Sequence, residues 1–130
     1  MSDPYPKEKQ LARGERRYRR KVASPKQWQA IIQAKRGPCR VCGYGGRPDY
    51  ELFMYGGREY HHIVSRAHGG DDVADNIVPT HQSCHADVTR RFRPAVEALL
   101  GNLTDAEYAY MIERGGEDSP ERAYGIEYSR

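Results

Sequence analysis

The chain has 130 residues, 30% of them charged, with a mean hydropathy of −0.91. That allows one small domain with tails and little apolar material for a core, and it excludes a membrane span, which needs a run of ~20 apolar residues. The formal net charge of +3 hides a gradient: residues 1–36 carry +8, residues 37–96 balance and residues 97–130 carry −5, which points to a polyanion engaged from the N-terminal end.

The opening MSDPYPKEKQ has no apolar core, so it does not read as a signal peptide, and a cytoplasmic location is expected. The three cysteines then read as reduced thiolates for a metal rather than as disulfides. Residues 1–23 read as a flexible basic arm. Within it, Lys7, Arg13, Arg16, Arg17, Arg19, Arg20 and Lys21 suit phosphates without reading bases; the other reading is a solvated tail. A domain over 24–100 follows, then an acidic helix and tail over 101–130.

"SPKQWQAIIQAKRG" predicts a helix over 25–36, with Ser24 at the N-cap, Pro25 at N1, Gln27 closing a capping box and Gly37 as the stop. Trp28, Ile31, Ile32 and the Lys35 stem share a face, so Trp28 reads as core. Cys39 and Cys42 have knuckle spacing. Residues 49–64 read as a β-hairpin turning at Gly56–Gly57. Residues 65–75 form a turn-rich loop, in which Asp71, Asp72 and Asp75 read as turn and cap residues. "NIVP" is a second strand, followed by a helix from Gln82 to Arg93, where Pro94 breaks it or begins another turn. "LTDAEYAYMIERGG" is a helix capped by Thr104 with Glu107 at N3. Its Tyr108, Tyr110 and Met111 either dock a partner or cover the domain's own core. The last fifteen residues, with Tyr124, Ile126 and Tyr128, read as a tail or a docking strand.

Two pairs of soft ligands stand out, Cys39-x2-Cys42 and His81-x2-Cys84. A Cys3His set at these spacings suits tetrahedral Zn²⁺, with His85 competing with His81 for the fourth place. The metal would close a loop of about forty residues. Three alternatives stay open: a redox pair at Cys39–Cys42, although no βαβ pattern surrounds it; a merely buried Cys84 with His81 on the surface; and a nucleophilic Cys84, although Cys84 and His85 would point apart on a helix. His61 and His62 are adjacent on a strand and face opposite ways. A strand, loop, strand and helix would still let His61 and His85 approach and share one divalent ion.

These residues resemble the HNH endonuclease family. The family pattern reads approximately [D/H]-H-I, a Gly-Gly loop, N-[L/I] and C-x2-C-H. It is met here by His61-His62-Ile63, Gly69-Gly70, Asn76-Ile77 and His81-x2-Cys84-His85, and Cys39 and Cys42 match the upstream zinc pair of the zinc-containing branch. The resemblance covers residues 39–85. It implies an α+β fold with a small ββα-metal (His-Me finger) core and a structural zinc knuckle, flanked by helices and the basic arm.

The resemblance also implies roles. His62 is the general base, His61 and His85 hold the catalytic divalent metal, and Asn76 orients His62 and pins the loop. A neutral imidazole suits water activation, and a held cation suits the developing phosphoryl charge. Products with a 5′-phosphate and a 3′-hydroxyl are implied. Two departures stand out. His81 replaces a Cys, and Val88 and Thr89 stand where relatives carry Lys or His, leaving water, Asp87 or Arg90 as substitutes. Without a carboxylate ligand, Mn²⁺, Ni²⁺ or Zn²⁺ suits the pair better than Mg²⁺.

His68 reads as exposed. Arg66, Arg90, Arg91 and Arg93 are expected along the scissile strand of DNA, with an ordinary solvated helix end as the bland reading of the last three. Size and layout resemble free-standing bacteriophage HNH proteins that assist terminase in DNA packaging within the bacterial host cytoplasm. A restriction or mobile-element nuclease is an alternative, as is a zinc-containing DNA-binding or adaptor module without cleavage. A thiol redox protein is a third reading.

Overall fold

The computed structural model describes residues 19–130; Lys7, Arg13, Arg16 and Arg17 lie outside them. Helix α1 spans Pro25–Lys35, and its capping box is formed: Gln27 N–H donates to Ser24 Oγ at 3.2 Å and Ser24 N–H to Gln27 Oε1 at 2.9 Å. Arg36, in extended conformation, ends the helix, so Gly37 is not the left-handed stop that its position predicts.

The expected hairpin over 49–64 is half wrong. Pro48–Tyr55 is a helix, α2, and only Arg58–His62 forms a strand, β1. Pro48 in the first turn, Asp49 and Glu51 favour a helix start, and Gly56 at φ 82° turns the chain out of it. Strand β2 (Ile77–His81) pairs antiparallel with β1, from Arg58 opposite His81 to His62 opposite Ile77. Helix α3 (Gln82–Thr89) follows directly and packs on both strands. This is a strand, loop, strand, helix unit, with α1 against β2 as well. Helix α3 stops short of the expected Arg93: Arg90 is its C-cap, Arg91 takes φ 60°, and Pro94 sits inside the first turn of α4 (Arg93–Gly101).

Helix α5 (Asp105–Gly115) carries the second capping box, Thr104 with Glu107. The final segment is neither tail nor strand: Ser119–Tyr124 is a short helix, α6. Its Tyr124, with Ile126, joins Ile63, Val78, Val88, Val96, Leu99, Leu100, Leu103 and Met111 in one core. The acidic segment thus covers the same core as the strands, with Tyr108 and Tyr110 packed at its margin. In the first turn of α5 the buried Glu107 carboxylate pairs with Lys35 of α1 and Arg40 of the knuckle.

The arm is anchored where it is described. Lys21 N–H donates to Asp71 Oδ1 at 2.6 Å, Ala23 N–H to Asp72 Oδ2 at 3.0 Å, and Arg20 Nη1 to Gly70 O and Asp72 Oδ1 at 3.0 and 3.1 Å. Among the described residues no helix is long and apolar enough to cross a membrane.

Candidate functional site

The knuckle after α1 brings Cys39 and Cys42 to His81, the last residue of β2, and Cys84, in the first turn of α3. One donor atom from each lies within 4.8 Å of all the others. His81 Nδ1 stands 3.2 Å from Cys42 Sγ and 3.9 Å from Cys84 Sγ. Tetrahedral Zn²⁺ with bonds of about 2.0–2.3 Å sets donors roughly 3.5–3.8 Å apart, so the four fit. His81, not His85, is the fourth member.

The thiols themselves call for a cation. Burial pushes Cys39 up, but the backbone N–H groups of Cys42, His81 and Val41 outweigh it and hold this thiol below its ordinary value. Burial and then the charges of Cys39 and Cys42 push Cys84 up to about 12; burial and the Cys39 charge likewise raise Cys42. Three crowded thiols therefore do not ionise together unless a cation neutralises them.

The His81 ring is fully buried and stacks on Tyr55, centroids 4.5 Å apart and 12° from parallel. Its Nε2 lies 3.0 Å from Glu51 Oε2. Glu51 is fixed in turn by Arg58 through contacts of 3.1 and 2.8 Å. This carboxylate backing of a histidine ligand depends on α2 being a helix, and the hairpin reading missed it.

At the other end of β1, His61 and His85 meet. His61 Nδ1 is 3.1 Å from His85 Nε2, whose ring also contacts Glu59 Oε1 through Nδ1 at 2.6 Å. Two imidazole nitrogens bound to one cation at about 2.1 Å stand roughly 3.0–3.4 Å apart at right to tetrahedral angles, so the pair fits a shared divalent ion. Burial, then the charges of His85 and His62, lower His61 to about 3, which keeps it neutral. Its Nε2 contacts the Tyr124 hydroxyl at 2.7 Å.

His62 points the other way. Trp28 is not core: it is half-buried and stacks on the His62 ring, centroids 5.7 Å apart and 9° from parallel. His62 Nε2 is 2.8 Å from Asp72 Oδ1. Burial lowers the His62 pKa, and the Asp72 contact only partly restores it, leaving the ring neutral near pH 7. Asn76 makes no hydrogen bond to the His62 ring; it holds the backbone beside it. Its amide donates to Val64 O and Asp71 O at 3.0 and 2.9 Å, and its Oδ1 accepts Val64 N–H at 2.8 Å, so it pins the loop to the end of β1. Asp72, read as a turn residue, is what contacts the imidazole, along with Arg20 and Arg66.

The Gly-Gly pair has two uses. Gly69 takes φ 86°, and at Gly70 a Cβ would stand 1.7 Å from Val64 O. Both His61 and His62 line a cavity of about 400 Å³ that also touches His68, Arg91, Arg122 and Tyr124. His68 is exposed, with Nδ1 2.7 Å from Ser65 Oγ. Four of the expected DNA-binding arginines have partners inside the chain: Arg20 and Arg66 pair with Asp72 at 3.1 and 3.4 Å, Arg90 pairs with Asp87 at 2.9 Å, and Arg91 Nη2 donates to Arg122 O at 3.0 Å.

Residues 39–91 match the model of a family described as HNH endonuclease. No curated protein and no solved structure matches the chain.

Proposed function

We propose, from the match of residues 39–91 to the HNH endonuclease family model, that the chain is a metal-dependent endonuclease hydrolysing DNA phosphodiester bonds. The observation that carries this reading is the 3.1 Å approach of His61 Nδ1 and His85 Nε2, with the half-buried His62 next in the strand and 2.8 Å from Asp72. His61 and His85 are the proposed ligands of an exchangeable divalent ion, Mn²⁺, Ni²⁺ or Zn²⁺ in preference to Mg²⁺. Such an ion, when bound, supplies positive charge to the phosphoryl oxygens and the leaving oxygen.

His62 is the proposed general base. With Nε2–H given to Asp72, Nδ1 holds the lone pair that takes a proton from water. The water oxygen attacks phosphorus and the 3′-oxygen departs, leaving a 5′-phosphate and a 3′-hydroxyl. Trp28 and Asp72 hold the ring, and Asn76 fixes the loop that carries Asp72. Structural Zn²⁺ at Cys39, Cys42, His81 and Cys84 fixes the start of α3, and with it His85. Arg19, Lys21, Arg66, Arg90 and Arg91 are the proposed phosphate contacts. The proposed setting is a phage-encoded packaging nuclease acting with terminase in the host cytoplasm, supported by size and layout alone.

A plasmid-nicking assay on zinc-loaded protein, with each divalent ion added back, tests the reading. His62→Ala should lose at least about 100-fold in rate. Equal nicking by both proteins would remove the assigned base.

A further inference from the structure

Tyr124 lies sixty-three residues beyond His61 in the chain and outside residues 39–91, yet its hydroxyl touches the His61 ring at 2.7 Å. The segment that delivers it is firmly placed. Tyr124 is 4% exposed at the end of α6, Gly125 turns the chain at φ 81°, and Ile126 is buried behind it.

The hydroxyl has a second neighbour. It donates to the backbone carbonyl of Ile63 at 2.7 Å. A carbonyl only accepts, so the single phenolic hydrogen is committed there; otherwise two oxygens would face each other with no proton between them. The oxygen can then only accept from His61, which requires the imidazole hydrogen to sit on Nε2. His61 Nδ1 is left with its lone pair, aimed at His85. On the far side Glu59 does the same for His85: a carboxylate accepts, so Nδ1 carries the hydrogen and Nε2 the lone pair. Two lone pairs 3.1 Å apart repel unless something positive lies between them.

We infer that Tyr124 is a positioning residue that locks His61 in the Nε2–H tautomer and so presets Nδ1 as a cation ligand. Two imidazole ligands thus carry unlike supports, a neutral phenol on one and a carboxylate on the other. Partners of this kind typically change metal affinity 10–100-fold when removed. The inference rests on the reading of His61 and His85 as ligands of an exchangeable ion, but its first test does not need that ion.

The test has two arms. Imidazole ¹⁵N shifts of the zinc-loaded protein, with no other metal added, report the His61 tautomer. Wild type should show Nε2–H alone, Tyr124→Phe a mixture, and Ile126→Val, which loosens the same segment but keeps the hydroxyl, the wild-type pattern. Mn²⁺ binding followed by electron paramagnetic resonance should weaken at least 10-fold in Tyr124→Phe and hold in Ile126→Val. An unchanged tautomer in Tyr124→Phe, or an equal change in Ile126→Val, overturns the role of Tyr124. Mn²⁺ binding that survives both His61→Ala and His85→Ala overturns the cation reading instead, whatever the tautomer shows.

Discussion

The Cys39–Cys42–His81–Cys84 cluster and the His61–His85 pair share helix α3 and draw on paired strands, β2 for His81 and β1 for His61, yet differ in what they offer a metal. The first presents three sulfurs and one nitrogen, with His81 fully buried and Cys39 and Cys84 nearly so. It is closed, and its thiols are costly to ionise without a cation. The second presents two imidazole nitrogens 3.1 Å apart, with His61 at the wall of a 400 Å³ cavity. An ion held there by the two proposed ligands would keep positions open for water and phosphate. Cys84 and His85 are consecutive, and the turn of α3 sends one to each centre.

That adjacency gives the largest contrast. Cys84→Ser should lose Zn²⁺ and with it the cooperative fold, since structural zinc is worth on the order of 10 kcal/mol. Metal content and thermal unfolding would read this. His85→Ala should keep zinc and the unfolding transition while cleavage falls. Two variants that melt alike would mean that the centres are not separate in role.

Glu107 tests whether the knuckle is mechanically tied to the rest. Its carboxylate holds Arg40, between Cys39 and Cys42, and Lys35 of α1. Glu107→Gln should cost roughly 3–5 kcal/mol at pH 7, the usual consequence of breaking a buried pair. Burial raises the Glu107 pKa, but Arg40 and Lys35 outweigh it and hold the carboxyl below its ordinary 4.5. A depressed carboxyl stabilises the fold in full above 4.5 and loses that contribution as pH falls through its lower folded value. The difference between wild type and variant in urea unfolding should therefore shrink in acid; a constant gap would contradict the ion pairing.

The smallest effect belongs to the second centre. Trp28→Leu removes the ring stacked on His62 and should cost about 0.5–1.5 kcal/mol. Cleavage should slow several-fold with zinc content unchanged. A variant as fast as wild type would leave Asp72 as the sole support of His62.

What the sequence disclosed followed the reach of its signals. Ser24/Gln27 and Thr104/Glu107 are local capping pairs, so α1 and α5 were legible. The four zinc donors were legible from spacing and chemistry. Helix α2 was misread because Leu52, Phe53 and Met54, all exposed, are apolar residues that suggested a strand, and Gly56–Gly57 suggested a turn; Pro48 was the better signal. Trp28 was assigned to the core because helical periodicity names a face but not its neighbour. Asp72 reads as a turn residue from composition, and only the fold puts it against His62. Tyr124 could not have been found, since no local pattern links residues sixty-three positions apart.

Gly70 sets a fixed clearance. With Val64 O at 1.7 Å from any Cβ added there, the loop lies against the end of β1 like a shim of one thickness. No larger residue fits at position 70 without lifting Asp72 off the imidazole and Arg20 off the loop. Room for change lies instead in the exposed turn from Arg66 to His68, which brings His68 to the cavity.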